Sequence, residues 1–165
     1  MASEAPISHP DTWPVRRLGE FSLKVGSGAT PTGGEASYLP HRHHWALVRS
    51  QNVFDRYFSE EGLAYISDEQ AQRLSSVQIQ PNDILLNITG DGITFGRACK
   101  AAESILPAVV NQHVSIIRVD PKVADSGYVL SYLTHPNVKH YIESFNARSI
   151  RTGVPKPSQT FQQQV

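Results

Sequence analysis

Apolar runs separated by polar turns set the first expectations for this chain. Residues 17–25 alternate well enough for a strand, and glycines with a proline over residues 26–34 predict the turn that ends it. A second strand is predicted at residues 45–48. Residues 84–89 form a compact apolar run with only two polar interruptions, which is typical of a mostly buried strand.

A short helix is predicted before that buried strand. The helix begins within residues 65–68 and ends at Leu74, so it has two turns at most. Ser67 or Asp68 serves as the N-cap, because either side-chain oxygen can accept a hydrogen bond from the first turn.

The second half of the chain predicts strands followed by helices. Residues 97–102 are expected to form a strand. Residues 108–119 predict either one long strand or a pair of strands split at residues 111–112, which makes a core hairpin. Helices are expected over residues 126–134 and from 136 to about 147. Because most strands precede the helices, the pattern favours an α+β fold, a single globular domain with a mixed or antiparallel sheet and a few short helices.

Length and local composition divide the chain into three parts. Its 165 residues suit one domain. Residues 1–12 are polar and contain prolines, and predict a flexible leader before Trp13 anchors the fold. The domain is expected over residues 13–150, followed by a C-terminal tail at 151–165.

The charge of the chain limits its partners. Fifteen Lys and Arg balance fifteen Asp and Glu, and this argues against a general nucleic-acid coat, whose affinity comes from cations that neutralise phosphates. Residues 121–165 hold five basic and two acidic side chains, an excess that an ordinary solvated helix face also explains. No apolar run approaches membrane-spanning length and no secretion signal is present, so we expect a cytoplasmic protein without a membrane partner.

The sequence offers no recognisable catalytic, cofactor or metal motif. With Cys99 alone there is no internal disulfide or thiolate zinc cluster, and its apolar neighbours predict that it fills the core. Phosphate-binding loops, nucleophile elbows and zinc-binding helix motifs are missing. His41, His43 and His44 lack a nearby carboxylate or thiolate, which favours a solvent-facing or phosphate-contacting loop over a metal site.

Three polar segments carry side chains that can bond base edges. Arg bonds guanine O6 and N7 together, and Asn or Gln bonds adenine N6 and N7. Such groups occur at residues 49–52, 111–113 and 148–151. For two of these segments, a structural role is an alternative to base contacts. Residues 111 and 112 interrupt an apolar strand, which favours bonds to buried backbone groups, and Arg148 and Arg151 follow a predicted helix end, where the dipole favours cations.

Seven segments occur in one order along the chain: Trp13-Pro-Val-Arg-Arg-Leu-Gly19, Gly26-Ser-Gly-Ala-Thr-Pro31, Trp45-Ala-Leu-Val-Arg-Ser-Gln-Asn-Val53, Tyr65-Ile-Ser67, Pro81-Asn-Asp-Ile-Leu-Leu-Asn-Ile-Thr-Gly90, Gly96-Arg97 and Val110-Asn-Gln-His-Val114. They are distributed over residues 13–114. In this order they resemble target-recognition domains of the specificity subunits of type I restriction-modification systems.

The resemblance implies a non-catalytic domain that presents loops to the major groove of double-stranded DNA. Its implied partners are a methyltransferase subunit and, in the full complex, a restriction subunit. The shared motifs are expected to hold the fold, so sequence recognition is assigned to loops between them. The candidate DNA-binding residues are His41, Arg42, His43, His44, Arg49, Ser50, Gln51, Asn52, Asp91, Thr94, Arg97, Arg148 and Arg151.

One departure from the family leaves alternatives open. Specificity subunits resemble two such domains joined by long helical spacers, whereas this chain carries one domain, and residues 160–165 stop where a spacer could start. It is either a fragment or a half-subunit that pairs with a second copy or another half-subunit. Two other functions compete, namely a non-catalytic protein-binding or regulatory module on the same scaffold, and an enzyme whose site the sequence does not reveal.

Overall fold

The computed structural model describes residues 7, 8, 10, 12–90 and 93–152, with the backbone alone for 145–152. These residues form strands β1 (Ser22–Ser27), β2 (Trp45–Val48), β3 (Val53–Phe54), β4 (Tyr57–Phe58), β5 (Ala64–Ile66), β6 (Ile84–Asn87), β7 (Ala98–Lys100), β8 (Ala108–Val110) and β9 (Val114–Val119). They also form helices α1 (Asp68–Arg73), α2 (Ser126–Leu133) and α3 (Pro136–Thr152). The expected α+β class, with mixed pairing and a few helices, is confirmed. Within the described ranges, no helix combines the length and apolar character needed to cross a bilayer.

The strands form three sheets of different size. A four-stranded antiparallel sheet has the order β1-β9-β6-β7, and a three-stranded sheet has the order β5-β2-β8. In the smaller sheet β2 pairs antiparallel with β5 and parallel with β8. The β3–β4 hairpin is separate from both.

The four-stranded sheet is buried on both faces. Alternate side chains of a strand point to opposite faces, and Leu85 packs with the three-stranded sheet while Ile84 and Leu86 pack with α2 and α3. The domain therefore has three layers, the small sheet, the large sheet and the helices. This explains why the first three residues of β6 are all apolar, as the sequence predicts for a mostly buried strand.

The predicted core hairpin at residues 108–119 is wrong. The chain does split at residues 111–113, but β8 pairs with β2 whereas β9 pairs with β1 and β6. The turn between them carries the chain from one sheet to the other. Asn111 fixes this turn, because its side-chain oxygen accepts the N–H of His113 at 2.9 Å and its own N–H donates to Val48 at 3.1 Å.

Several predicted boundaries also change. The first strand begins at Ser22, after a 3-10 turn, rather than at residue 17. Residues 65–66 belong to β5, and α1 starts only after Ser67, whose hydroxyl and Gln70 form a capping box. Trp13 does not anchor the fold, since its side chain is 61% exposed.

Candidate nucleic-acid interface

Two polar segments meet at one end of the three-stranded sheet. Strands β2 and β8 run parallel, so the residues that follow each of them emerge at the same end of the sheet. There they border a cleft of about 290 Å³. The cleft is lined by Thr30, Gly34, Glu35, Tyr38, Arg49, Ser50, Gln51, Asn111, Gln112 and His113. The fold thus brings together two of the three segments that the sequence offered as base-edge binders.

One wall of the cleft is a chain of polar side chains. The Thr30 hydroxyl donates to the Gln112 side-chain oxygen, and the Gln112 amide lies 2.8 Å from His113 Nε2. An amide N–H can only donate, so Nε2 accepts and His113 Nδ1 carries the proton that it donates to Thr89. The network fixes the orientation of Gln112 and His113 at the cleft.

Three contacts hold the Arg49 guanidinium in place at the cleft. Its Nη1 donates to a Glu35 carboxylate oxygen and its Nη2 donates to the Gly62 carbonyl, each at 2.8 Å. The guanidinium carbon lies 5.4 Å from the centre of the Tyr38 ring, within cation–π range. Gln51, on the following turn, is exposed beside it.

Asn52 must be removed from the DNA-binding set. Its side chain is 0% exposed, so it cannot meet a base edge without rearrangement. Its oxygen accepts the N–H of Arg49, and its amide donates to the carbonyls of Ser59 and Glu61. Asn52 stabilises the turn that presents Ser50 and Gln51.

A buried asparagine connects this turn to a second candidate loop. The Asn87 amide, 1% exposed, lies 2.9 Å from the Ser50 carbonyl and 3.1 Å from the Thr94 carbonyl. Its side-chain oxygen is buried and has no partner among the described residues. Asn87 therefore fixes the distance between the Ser50 turn and the loop that bears Thr94 and Arg97.

In the loop between β6 and β7, the candidate side chains of Thr94 and Arg97 are half-buried. Thr94 and Arg97 lie next to the Ser50 turn rather than among the residues that line the cleft. The Arg97 guanidinium carbon lies 4.7 Å from the centre of the Phe54 ring. This contact places a cation over an exposed aromatic ring of β3.

The residues at 41–44 are not part of this site. They precede β2 whereas the cleft follows it, and at about 3.3 Å per strand residue His44 and Arg49 lie roughly 17 Å apart. The Arg42 guanidinium donates to the carbonyls of residues 104–106, which holds it against the turn before β8 and away from the cleft. His44 Nδ1 lies 3.0 Å from an Asp68 oxygen. His41 and His43 are exposed.

Three candidate DNA-binding residues have side chains outside the described part of the chain. Asp91 lies outside the described residues. The backbone of α3 continues through Thr152, so Arg148 and Arg151 do not follow a helix end as expected. Their side chains lie outside the described part.

Sequence reasoning missed the residues that hold the guanidinium. Glu35 and Tyr38 come from the 3-10 turn Gly34–Ser37 and the residue after it, and their contacts with Arg49 bridge a separation that no local pattern indicates. Gln112 and His113 carry groups that can bond base edges, yet the sequence does not place them among the candidate DNA-binding residues. The parallel pairing of β2 and β8 is what makes them part of the site.

The ionisable groups away from the cleft include one cysteine. Cys99 is buried in the core as predicted, and burial raises the pKa of its thiol to about 12. The thiol therefore stays protonated at neutral pH. No group of three or more His, Cys, Asp or Glu that could hold a metal ion occurs among the described residues.

Comparison with known proteins identifies no relative. No protein-family model matches the chain, and no curated protein matches its sequence.

Proposed function

We propose that this chain recognises a DNA sequence, as one target-recognition domain of a type I restriction-modification system. It acts in the cytoplasm as a non-catalytic component that uses no cofactor. Its partners are double-stranded DNA, a methyltransferase subunit and a restriction subunit. The motif order in the sequence is the reason for naming this family.

One observation carries the proposal. The segments that follow β2 and β8 converge on a single cleft, which is lined by Gln51, Gln112 and Arg49. Amide and guanidinium groups are the side chains that bond adenine and guanine edges in pairs of hydrogen bonds. Thr94 and Arg97, held next to Ser50 through Asn87, extend this surface. His41 and His43 are outside the proposed surface.

The charge of the cleft supports contacts to base edges rather than to phosphates. Among the described residues that line the cleft, Arg49 is the sole Lys or Arg, and its charge is balanced by an ion pair with Glu35. Each phosphate contact contributes about −0.9 to the slope of log affinity against log salt concentration. A neutral cleft therefore predicts a shallow slope, with most phosphate contacts supplied by the partner subunits.

The test is a selection from a random-sequence duplex library at two salt concentrations. The full chain is used with and without a candidate methyltransferase subunit, and the retained DNA is sequenced. We expect a short motif to be enriched. Gln51→Ala should relax at least one position of that motif, whereas Gln72→Ala, an exposed glutamine of α1 outside the cleft, should leave it unchanged.

Two results would contradict the proposal. Absence of any enriched motif with a competent methyltransferase would replace DNA recognition by the protein-binding alternative. A motif that stays identical in Gln51→Ala and in variants of the other cleft residues would move the recognition surface elsewhere on the domain.

A further inference from the structure

The Arg49 side chain is fixed before any ligand binds. Glu35, Gly62 and the Tyr38 ring hold its guanidinium from three directions, and only 17% of the side chain is exposed. An arginine that is already ordered loses less conformational entropy when it binds than a free surface arginine does. Its remaining exposed part borders the cleft.

The same guanidinium keeps unused donors. Arginine has five N–H groups, and those of Arg49 make one bond from Nη1 and one from Nη2 within the described structure. Among the described residues, each terminal nitrogen therefore retains one N–H without a partner, and Nε is buried without one. A planar pair of donors matches the O6 and N7 acceptors that guanine presents in the major groove.

The surroundings of Arg49 favour a neutral ligand over an anion. The Glu35 carboxylate lies 2.8 Å from Nη1 and would repel a phosphate that approached the same donors. No other Lys or Arg lines the cleft, although phosphate sites usually gather several cations or backbone N–H groups. The cleft volume, about 290 Å³, is at the lower limit for small-molecule pockets and suits the edge of a base.

We propose that Arg49 is a specificity-determining residue that binds a guanine of the recognised DNA sequence through O6 and N7, with Glu35 and Tyr38 as its positioning residues. This inference rests on the proposed function, because it requires the cleft to face the major groove. It goes further by naming the base and the side chain that selects it.

The first test compares the motifs selected by the full chain and by Arg49→Lys, with the methyltransferase subunit present. Lysine keeps the positive charge but cannot offer two parallel N–H groups. We expect one guanine position to lose about 10-fold to 100-fold in preference while the other positions keep theirs. Arg73→Lys, at an exposed arginine of α1 outside the cleft, is the matched control and should select the original motif.

The second test uses the unchanged protein, so it does not depend on how a variant folds. The selected duplex is resynthesised with 7-deazaguanine, which lacks the N7 acceptor, at each guanine in turn. We expect the position that Arg49→Lys relaxes to lose about 10-fold or more in affinity, and the other guanines to be less sensitive.

The outcomes separate this inference from the proposed function. If the unchanged chain enriches no motif, DNA recognition fails and the guanine assignment fails with it. If it enriches a motif that lacks guanine, or if Arg49→Lys and 7-deazaguanine leave the guanine preference intact, the guanine assignment alone is overturned.

Discussion

Arg118 and Asp83 form a two-pronged ion pair in which the carboxylate is completely buried. Arg118 Nε and Nη2 donate to the two Asp83 oxygens, each at 2.8 Å, and Nη2 also donates to the Gln78 carbonyl. Asp83 is 0% exposed, and one of its oxygens also accepts the N–H of Gln80 at 2.7 Å. The pair joins β9 to the turn before β6 and so braces the middle strands of the large sheet.

Removal of the buried carboxylate should destabilise the domain. We expect Asp83→Ala to lower the free energy of unfolding by about 3 kcal/mol, because it leaves the Arg118 charge without its partner. Chemical denaturation followed by circular dichroism measures this change. Asp68→Asn is the control, since its carboxylate is 75% exposed and its pair with His44 should contribute little. Equal losses in the two variants would contradict the prediction.

Gly28 should not tolerate a side chain. A Cβ at this position would lie 1.8 Å from the Val110 carbonyl oxygen, and backbone atoms cannot move aside as a flexible side chain can. We expect Gly28→Ala to lower the free energy of unfolding by about 3 kcal/mol or more, at the upper end for overpacked sites. Gly26→Ala, two residues earlier in β1, is the control, because its Cβ would meet nothing within 4 Å. If both variants unfold at the same denaturant concentration, the close approach is not limiting.

Asn52 and Gln51 should differ in their effects although they are neighbours. Asn52→Ala removes three hydrogen bonds to backbone groups and should lower the free energy of unfolding by about 2 kcal/mol. Gln51→Ala removes one weak bond to Gly62, 3.3 Å long, from an exposed side chain and should leave stability nearly unchanged. Thermal unfolding of both variants checks this. A larger loss in Gln51→Ala would reverse the assigned roles.

Cys99 should be unreactive in the folded protein. Its pKa rises from an ordinary 9.0 to about 12 through burial, so almost no thiolate forms at pH 8. A thiol-specific reagent should label it only after unfolding, which a comparison with and without denaturant measures. Because the unfolded thiol ionises first, its contribution to stability is complete below pH 9 and is lost as pH rises towards 12. Rapid labelling of the native protein at pH 8 would contradict this.

The sequence predicts which segments of the candidate site are polar, but not which of their side chains are exposed. It correctly located the polar segments after residues 48 and 110, because each interrupts an apolar strand. It also treated Asn52 and Gln51 alike, since both are polar neighbours in one loop. Only the folded chain separates them, by burying Asn52 against the carbonyls that it binds and leaving Gln51 exposed.

The sequence by itself determined the local elements of this protein. The apolar run of β6, the capping box at Ser67 and the proline at the start of α3 depend on neighbours within a few residues, so their pattern is visible in the chain.

The tertiary structure alone decided which of these elements meet. The parallel pairing of β2 with β8 joins residues about sixty positions apart, and no local periodicity encodes it. That pairing sends β8 and β9 into different sheets instead of a hairpin. It also places Arg49 beside His113, because strand partners are selected by the burial of whole sheet faces in a shared core.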